Sequence, residues 1–431
     1  MDNRINGVLL IYHHLLTPAA SMIMEHISAF ERYSHFQVWA VNTEFGFPSG
    51  LHGLQFRVIV LHYSLFGWLP FSLGDEFRAY LAENGSSYKV AFFQDEYRWW
   101  LERSKVLNQF KVDCVYTCVE PEYYKDTYWK YTQVPRLETY LPGYVSEVMV
   151  RVAKKVSKPD AERTVDIGYR GRQSFGYMGK GAREKHEIGV RFREKAAGQG
   201  LALDIETEES ARIYGDHWLA FLGNCRAVLG VEAGVSIFDI DNEVFPHYER
   251  LQAEYPKASL EQAYEQLLAQ YDGKGIYYRT LSPRVFEAAA VRACQILFEG
   301  RYSGILEPMV HYISLKKDFS NFDEVMRLYK DPLVRRDLTE NAYRDLIDSE
   351  KYSYRRFIED SFDKLLSEAG MQAEVSSEEA DKVTARLRKD MIPRRWYASI
   401  RSLRYRPFPG RSWLVLLVRI FRKLCVALQA F

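Results

Sequence analysis

The chain has 431 residues, 47% of them hydrophobic and 15% aromatic, about three times the length of a ~150-residue domain, so it can bury two or three cores. Small disulfide modules, disordered chains and collagen-like chains are excluded. Lys and Arg number 58 against 57 Asp and Glu, but from Lys382 onward there are 13 basic residues and a single acid, Asp390, so a body near −11 carries a tail near +12.

Five cysteines, Cys114, Cys118, Cys225, Cys294 and Cys425, form an odd set without a C-x-x-C pair, the pattern of a reduced cytoplasmic protein. Met1-Asp2-Asn3-Arg4 carries no net positive charge, and the apolar run after it is broken by His13 and His14, so no signal peptide is expected. The longest strictly apolar run, Trp413 to Val418, is six residues, short of the ~20 that span a bilayer.

In chain order, the first 145 residues predict strands over Gly7–His13, Phe36–Val41, Phe56–His62, Tyr88–Gln94 and Val112–Cys118. Helix-period segments, Ala19–Tyr33, Leu73–Asn84 and Tyr97–Phe110, lie between them. Strands that read as continuous apolar runs belong in a parallel sheet covered on both faces, hence an α/β, Rossmann-like lobe over residues 1–150. Ser146–Thr164 turns to Lys, Ser, Pro and Asp and reads as an exposed hinge. A second α/β lobe, 160–350, comes next: a strand (Thr164–Tyr169), a glycine-rich loop, then helices and strands through Ala293–Phe298, interrupted by a polar, helix-rich insertion (Glu243–Gly273). Helical periodicity runs from Asn321 to Glu368, and residues 351–375 are placed to return toward the first lobe. No internal repeat or low-complexity tract is found.

The most informative stretch is Ser282-Pro283-Arg284-Val285-Phe286-Glu287-Ala288-Ala289-Ala290. Ser282 suits an N-cap, Pro283 a first helical turn, and Glu287 then lies one turn in. A helix start offers N–H groups to phosphate, and a carboxylate one turn along can accept two hydroxyl hydrogens from a ribose. The residues alone equally describe an ordinary core helix with a carboxylate near its N-terminus. Upstream, Tyr169-Arg170-Gly171-Arg172 ends a strand and Gly179-Lys180-Gly181-Ala182-Arg183-Glu184-Lys185 opens a helix. Glycines let backbone approach an anion, and Arg172, Lys185 and Lys180 can offset its charge; a solvated turn has the same composition. Gly230 to Asp239 is a small-residue loop after a strand, with Glu232 and Ser236 as polar candidates.

Over roughly Tyr278–Tyr329 the sequence resembles the nucleotide-sugar signature of GT-B fold glycosyltransferases, most closely the group related to the spore-maturation protein CgeB. The resemblance implies two Rossmann-like lobes facing across a cleft, with donor held by the second and acceptor by the first. It implies that Glu287 binds the donor ribose, that Ser282 and Arg284 lie beside the phosphates, and that Arg172, Lys180 and Lys185 neutralise the leaving diphosphate. Glu232 and Ser236 are then donor contacts. It further implies a one-step transfer with no metal and no cofactor beyond the nucleotide-sugar donor. The larger retaining group places a sugar-binding Glu eight residues before the ribose Glu; here that position is Arg279. That departure favours a second reading, a non-catalytic assembly or scaffold protein of a spore coat or envelope. A nucleotide-sugar epimerising hydrolase is a third.

On the acceptor side, polar residues gather at strand ends: His13 and His14, His62-Tyr63-Ser64, and Gln94-Asp95-Glu96-Tyr97. Asp95 or Glu96 is the first candidate for acceptor binding or base, with His62 and His14 behind. Asp239-Ile240-Asp241 has the spacing of a metal motif from another glycosyltransferase fold, but not its surroundings. Tyr123, Trp129 and other aromatic residues at these edges suit sugar rings or core packing alike. The expected acceptor is a saccharide or lipid-linked saccharide of surface polysaccharide or glycolipid synthesis. The basic tail, 382–431, carries Arg411, Arg419, Arg422 and Lys423 around an apolar helix-like segment. It suits an anionic inner membrane face, or else a contact with the acidic body or a subunit. Nucleic acid is not an expected partner, since no nucleic-acid motif is present.

Overall fold

The computed structural model describes residues 4–15, 21–172, 176–256, 262, 265, 268–273 and 275–388. The first lobe is built on six parallel strands: β1 (Ile5–Tyr12), β2 (Val38–Asn42), β3 (Phe56–Leu61), β4 (Tyr88–Phe92), β5 (Cys114–Thr117) and β6 (Arg136–Thr139), in the order β2-β1-β3-β4-β5-β6. Val8–Ile11 and Val58–Leu61 are buried at every position. Continuous burial of this kind arises when helices cover both faces of a parallel sheet.

The second lobe has β7 (Val165–Arg170), β8 (Leu203–Glu206), β9 (Cys225–Gly230), β12 (Cys294–Phe298) and β13 (Ile313–Leu315) in the order β13-β12-β9-β7-β8, again parallel. A separate antiparallel pair, β10 (Ala233–Val235) with β11 (Tyr278–Thr280), stands beside it. The strand order reverses at β1/β3 in one lobe and at β7/β9 in the other, the places where such sheets open a crevice at their carboxyl ends. The chain is therefore α/β with two Rossmann-like lobes, the GT-B arrangement.

The stretch expected to be an exposed hinge is different in detail. Glu147–Val156 is a helix, Ser146 accepts the Met149 N–H at 3.0 Å as its N-cap, and Met149 and Ala153 pack with Leu219, Leu222 and Val285 of the second lobe. Its lysines lie on the solvent side, so composition alone could not distinguish it from a linker. The chain recrosses beside it: Val145 N–H donates to the Tyr352 carbonyl at 2.8 Å and Tyr354 N–H to the Val145 carbonyl at 3.0 Å. The helical run Tyr354–Glu368 then lies on the first lobe. There Asp363 accepts from Ser34 Oγ (2.6 Å) and His35 N–H (2.7 Å), and Tyr116 Oη meets Ser361 Oγ at 3.1 Å.

The first residues of the basic tail also belong to the body. Helix 377–388 seats Val383 and Leu387 in the first lobe's core, Trp39 Nε1 donates to Thr384 Oγ1 at 3.1 Å, and Arg386 donates to the His52 carbonyl at 2.6 Å. Gly50 makes room for this contact, since a Cβ there would lie 2.4 Å from the Arg386 carbonyl oxygen. The remainder of the tail, with Arg411, Arg419, Arg422 and Lys423, lies outside the described residues. Among the described residues no helix is long and apolar enough to cross a membrane.

The lobes meet through β11 and the segment after β10. Phe245 packs against Trp99, Phe238 against Trp100 and Tyr278 against Tyr97, and Asp239 N–H donates to the Tyr97 carbonyl at 2.8 Å. Glu96, 0% exposed, is the centre of this junction. It accepts from the hydroxyls of Thr117 and Tyr128, from the Cys118 N–H at 3.1 Å, and from Tyr278 of the second lobe at 2.8 Å. Removing one donor from a buried carboxylate leaves an acceptor that water cannot reach. Tyr278→Phe is therefore expected to lower stability by about 1–3 kcal/mol, read as a lower urea midpoint with the slope unchanged.

Candidate functional site

A cavity of about 540 Å³ opens between the lobes, within the range that holds small ligands and cofactors. The second lobe supplies most of its wall, from the carboxyl ends of β7 and β9, the helix Lys180–Lys195, the loop Arg212–Gly215 with Trp218, and the segment Ser282–Ala288. The first lobe closes it with Met22, Ile23, Tyr63 and Gln94. Gln94 is fixed by donation from Nε2 to the Pro142 carbonyl at 2.9 Å.

Three of its cations come from three elements. Arg172 follows β7, Lys185 lies in the second turn of Lys180–Lys195, and Arg284 begins the helix Arg284–Ala290. The turn after β7 is tightly fitted: Tyr169 Oη donates to the Lys185 carbonyl at 2.5 Å, and a Cβ on Gly171 would lie 2.4 Å from that same oxygen. Only glycine lets the strand end approach the helix so closely. Arg284 donates to the Arg170 carbonyl, which ties the helix Arg284–Ala290 to the end of β7. Arg170 and Arg212 also line the cavity but are paired, with Asp204 at 2.8 Å and Glu209 at 2.6 Å.

Burial lowers the pKa of the Lys185 ammonium to about 8, with the charge of Asp95 opposing the shift and those of Arg279, Arg284 and Arg172 adding to it. Like charges gathered in a partly desolvated site raise one another's energy, and an anion relieves them. Glu287 is the carboxylate on the same wall. Burial raises its pKa, and the hydrogen bond from Trp218 and the charge of Arg284 oppose that rise. Trp218 Nε1 donates to Glu287 Oε2 at 2.7 Å, which holds that oxygen in place. Glu25 of the first lobe is pushed the same way, mainly by burial, against the Ser146 hydroxyl and with a contribution from Glu287.

Of the residues expected from sequence, Arg172, Lys185, Ser282, Arg284 and Glu287 line this one cavity. Ser282 does so without capping: Pro283 stands at the helix N-cap and no side chain caps it. Lys180 and Ser236 line a second, neighbouring cavity. Glu232 reaches neither; 1% exposed, it accepts from the N–H groups of Arg301 (3.1 Å) and Tyr302 (2.9 Å) and from Tyr277 Oη (2.8 Å). Asp95 is exposed after β4, with φ 54°, an uncommon conformation for a residue other than glycine.

Three acceptor-side expectations need correction. Glu96 is enclosed by its four donors and does not face the cleft. His62 is 0% exposed, with Nε2 2.9 Å from His26 Nδ1 and Nδ1 2.8 Å from Ser64 Oγ. Burial holds it well below the ordinary histidine pKa, so it stays neutral inside the lobe. The neighbouring Tyr63 is the one that lines the cavity. His14 is also buried, its N–H bonded to Asn42 Oδ1 at 3.0 Å. Asp239 accepts the N–H groups of Glu243 (2.8 Å), Val244 (3.0 Å) and Phe245 (3.0 Å), and so caps the helix Val244–Glu254. Sequence reasoning missed Trp218, Tyr214, Arg212 and Glu25. A Tyr-Gly-Asp-His-Trp loop opening a helix was the available signal for the first two.

No protein-family model and no curated protein matches the chain. Solved structures similar to it include an alpha-glucosyltransferase in complex with UDP-glucose and DNA containing an abasic site, at 10% identity, covering 85% of this chain and 100% of that one, TM-score 0.49. Others are the sucrose-phosphate synthase of Thermosynechococcus elongatus (10%, 84% and 100%, 0.45) and Anabaena HepE in complex with UDP and glucose (10%, 84% and 99%, 0.41).

The lysine provides a pH test. An anion in this cavity would be held by the protonated form of Lys185, so its affinity is expected to be full below about pH 8 and to fall as pH rises through it. Titration calorimetry with inorganic pyrophosphate is expected to show affinity dropping about tenfold between about pH 7 and about pH 9. Lys185→Arg, which stays charged over that range, is expected to flatten the profile.

Proposed function

We propose that the protein is a glycosyltransferase that moves a hexose-type sugar from a nucleotide diphosphate donor to a saccharide or lipid-linked saccharide. The observation that carries the reading is the meeting of Glu287 with Arg172, Lys185 and Arg284 on one interlobe cavity wall. A carboxylate oxygen accepts ribose hydroxyl hydrogens, and adjacent fixed cations hold a diphosphate. Trp218 and Tyr214 supply aromatic surface on the same wall for a base or ribose.

In this reading Arg172 and Lys185 stabilise the negative charge that grows on the diphosphate as the sugar–phosphate bond breaks, without a metal ion. Asp95, whose charge acts on Lys185 across the cleft, holds or deprotonates the acceptor hydroxyl. The lobes bring both partners into register, which replaces a bimolecular encounter by a positioned one. The scaffold alternative has no such use for three clustered cations, whose mutual repulsion opposes folding when no anion is present. The remaining basic tail is proposed to hold this cytoplasmic enzyme against an anionic inner membrane face, where surface polysaccharide or glycolipid precursors are made.

A thermal-shift screen with UDP, GDP, dTDP and CMP is expected to show stabilisation by one nucleotide. Glu287→Ala should abolish that shift, whereas Asp95→Asn should preserve it and reduce transfer by about 100-fold or more. No shift with any nucleotide would sink the donor assignment, and full turnover in Asp95→Asn would sink the acceptor one. For the tail, the chain cut after Arg388 keeps the docked helix 377–388 and should co-sediment with anionic liposomes less than the full chain does. Equal sedimentation would refute membrane attachment.

A further inference from the structure

Arg284 and Glu287 share the helix Arg284–Ala290, and both meet one side chain of a different helix, Trp218 of Asp216–Gly223. That helix starts at Gly215, whose φ of 60° turns the cavity-lining loop Arg212–Gly215 into it. Leu219 and Leu222 seat it in the core that also holds Val285 and Ala288. Trp218 and Phe221, three residues apart and so neighbours on the helix surface, line the cavity.

Trp218 touches the two charges with different atoms. Its Nε1 donates to Glu287 Oε2 at 2.7 Å, and its ring centroid is 5.1 Å from Arg284 Cζ, within the ~6 Å over which a guanidinium is attracted to an aromatic face. Phe221 repeats the arrangement: its ring stacks on that of Trp218 at 5.5 Å and 24°, and Arg170 Cζ lies 4.4 Å from its centroid. Arg284 in turn donates to the Arg170 carbonyl. The indole N–H is a donor only, so the Glu287 oxygen it meets serves as an acceptor and carries no proton. Burial favours the neutral carboxyl group, and the Trp218 bond and the Arg284 charge work against it. The terminal torsion of a glutamate is broad, and a bond from a ring itself packed against Arg284 and Phe221 narrows it.

We propose that Trp218 is the positioning residue of the donor site: its N–H holds the Glu287 carboxylate as the reader of the nucleotide's ribose hydroxyls, and its ring keeps Arg284 beside it. The site's preference for a nucleotide with ribose hydroxyls over one without them then passes through Trp218, although Glu287 makes the contact. The inference rests on the glycosyl-transfer reading, in which Glu287 holds the ribose, and deepens it.

Calorimetric titration of the full chain tests this, with whichever of UDP, GDP, dTDP and CMP stabilises it and with the counterpart of that nucleotide that lacks the ribose hydroxyls. The unmodified chain is expected to bind the hydroxyl-bearing form about tenfold or more tightly than the dideoxy form, since a buried acceptor is otherwise left without hydrogens. Trp218→Phe keeps a ring for Arg284 and loses the N–H; it is expected to weaken the hydroxyl-bearing form about fivefold or more and to leave the dideoxy form within about twofold, so that the ratio collapses. A merely structural loss would weaken both forms alike and leave the ratio standing. Trp218→His, whose Nε2 can take the place of the indole nitrogen, is expected to restore most of the ratio. An undiminished ratio in Trp218→Phe, or a ratio lost in Trp218→His as well, overturns the inference. Binding of the hydroxyl-bearing form by Glu287→Ala as tightly as by the unmodified chain, or no binding of any nucleotide, overturns the donor reading instead.

Discussion

The hydrogen bond from Tyr278 to the buried carboxylate of Glu96 fixes where the second lobe sits on the first. Tyr278 belongs to β11, so the contact holds the strand that carries Arg279 on one side and runs into Ser282–Glu287 on the other. Burial raises the Glu96 pKa while the hydroxyls of Thr117, Tyr128 and Tyr278 and the charge of Arg103 oppose the rise. Those donors favour the ionised form and come from both lobes, so separating the lobes would expose a carboxylate to a partly empty set of partners. The crevice depends on this joint because Arg279, next to Tyr278 in the chain, walls one cavity and Ser282, Arg284 and Glu287, a few residues further on, wall the other.

Against that fixed frame, the cations are the strained part. Lys185 lies among Arg172, Arg279 and Arg284, with its own pKa brought down to about 8. Folding alone does not favour such a gathering; an anion does, because its charge offsets the desolvation of every member together. Glycine makes the gathering possible at two places, Gly171 under the Lys185 carbonyl and Gly181 under the Arg279 guanidinium. In both, a methyl group would move a cation away from its neighbours.

Much of this could be read from the sequence. Continuous apolar runs such as Val8–Ile11 and Val58–Leu61 identified parallel sheets, because period and length suffice when both faces are covered. Short strands escaped: β6, Arg136–Thr139, is nowhere fully buried, and β10 and β11 have three residues each. The cationic turn and Glu287 were legible because glycine and charge are local signals. Glu96 and His62 misled for a physical reason: polarity at a strand end looks the same whether it faces solvent or is enclosed by donors from distant segments, and the donors here are up to 182 residues away. The same limit hid Trp218, whose bond to Glu287 spans 69 residues.

The division of labour between the lobes arises from these contacts. Most of the wall of the crevice is carried by one helix, Lys180–Lys195, and by β11 with the segment that continues it, so the spacing of Lys185, Arg284 and Glu287 is set inside a single lobe and not by the Val145–Tyr354 crossover. The first lobe covers the crevice, with Tyr63 and Gln94 over one cavity and Tyr123 over the other. Motion between the lobes then changes access and solvent, while the arrangement of the cations around Glu287 is conserved.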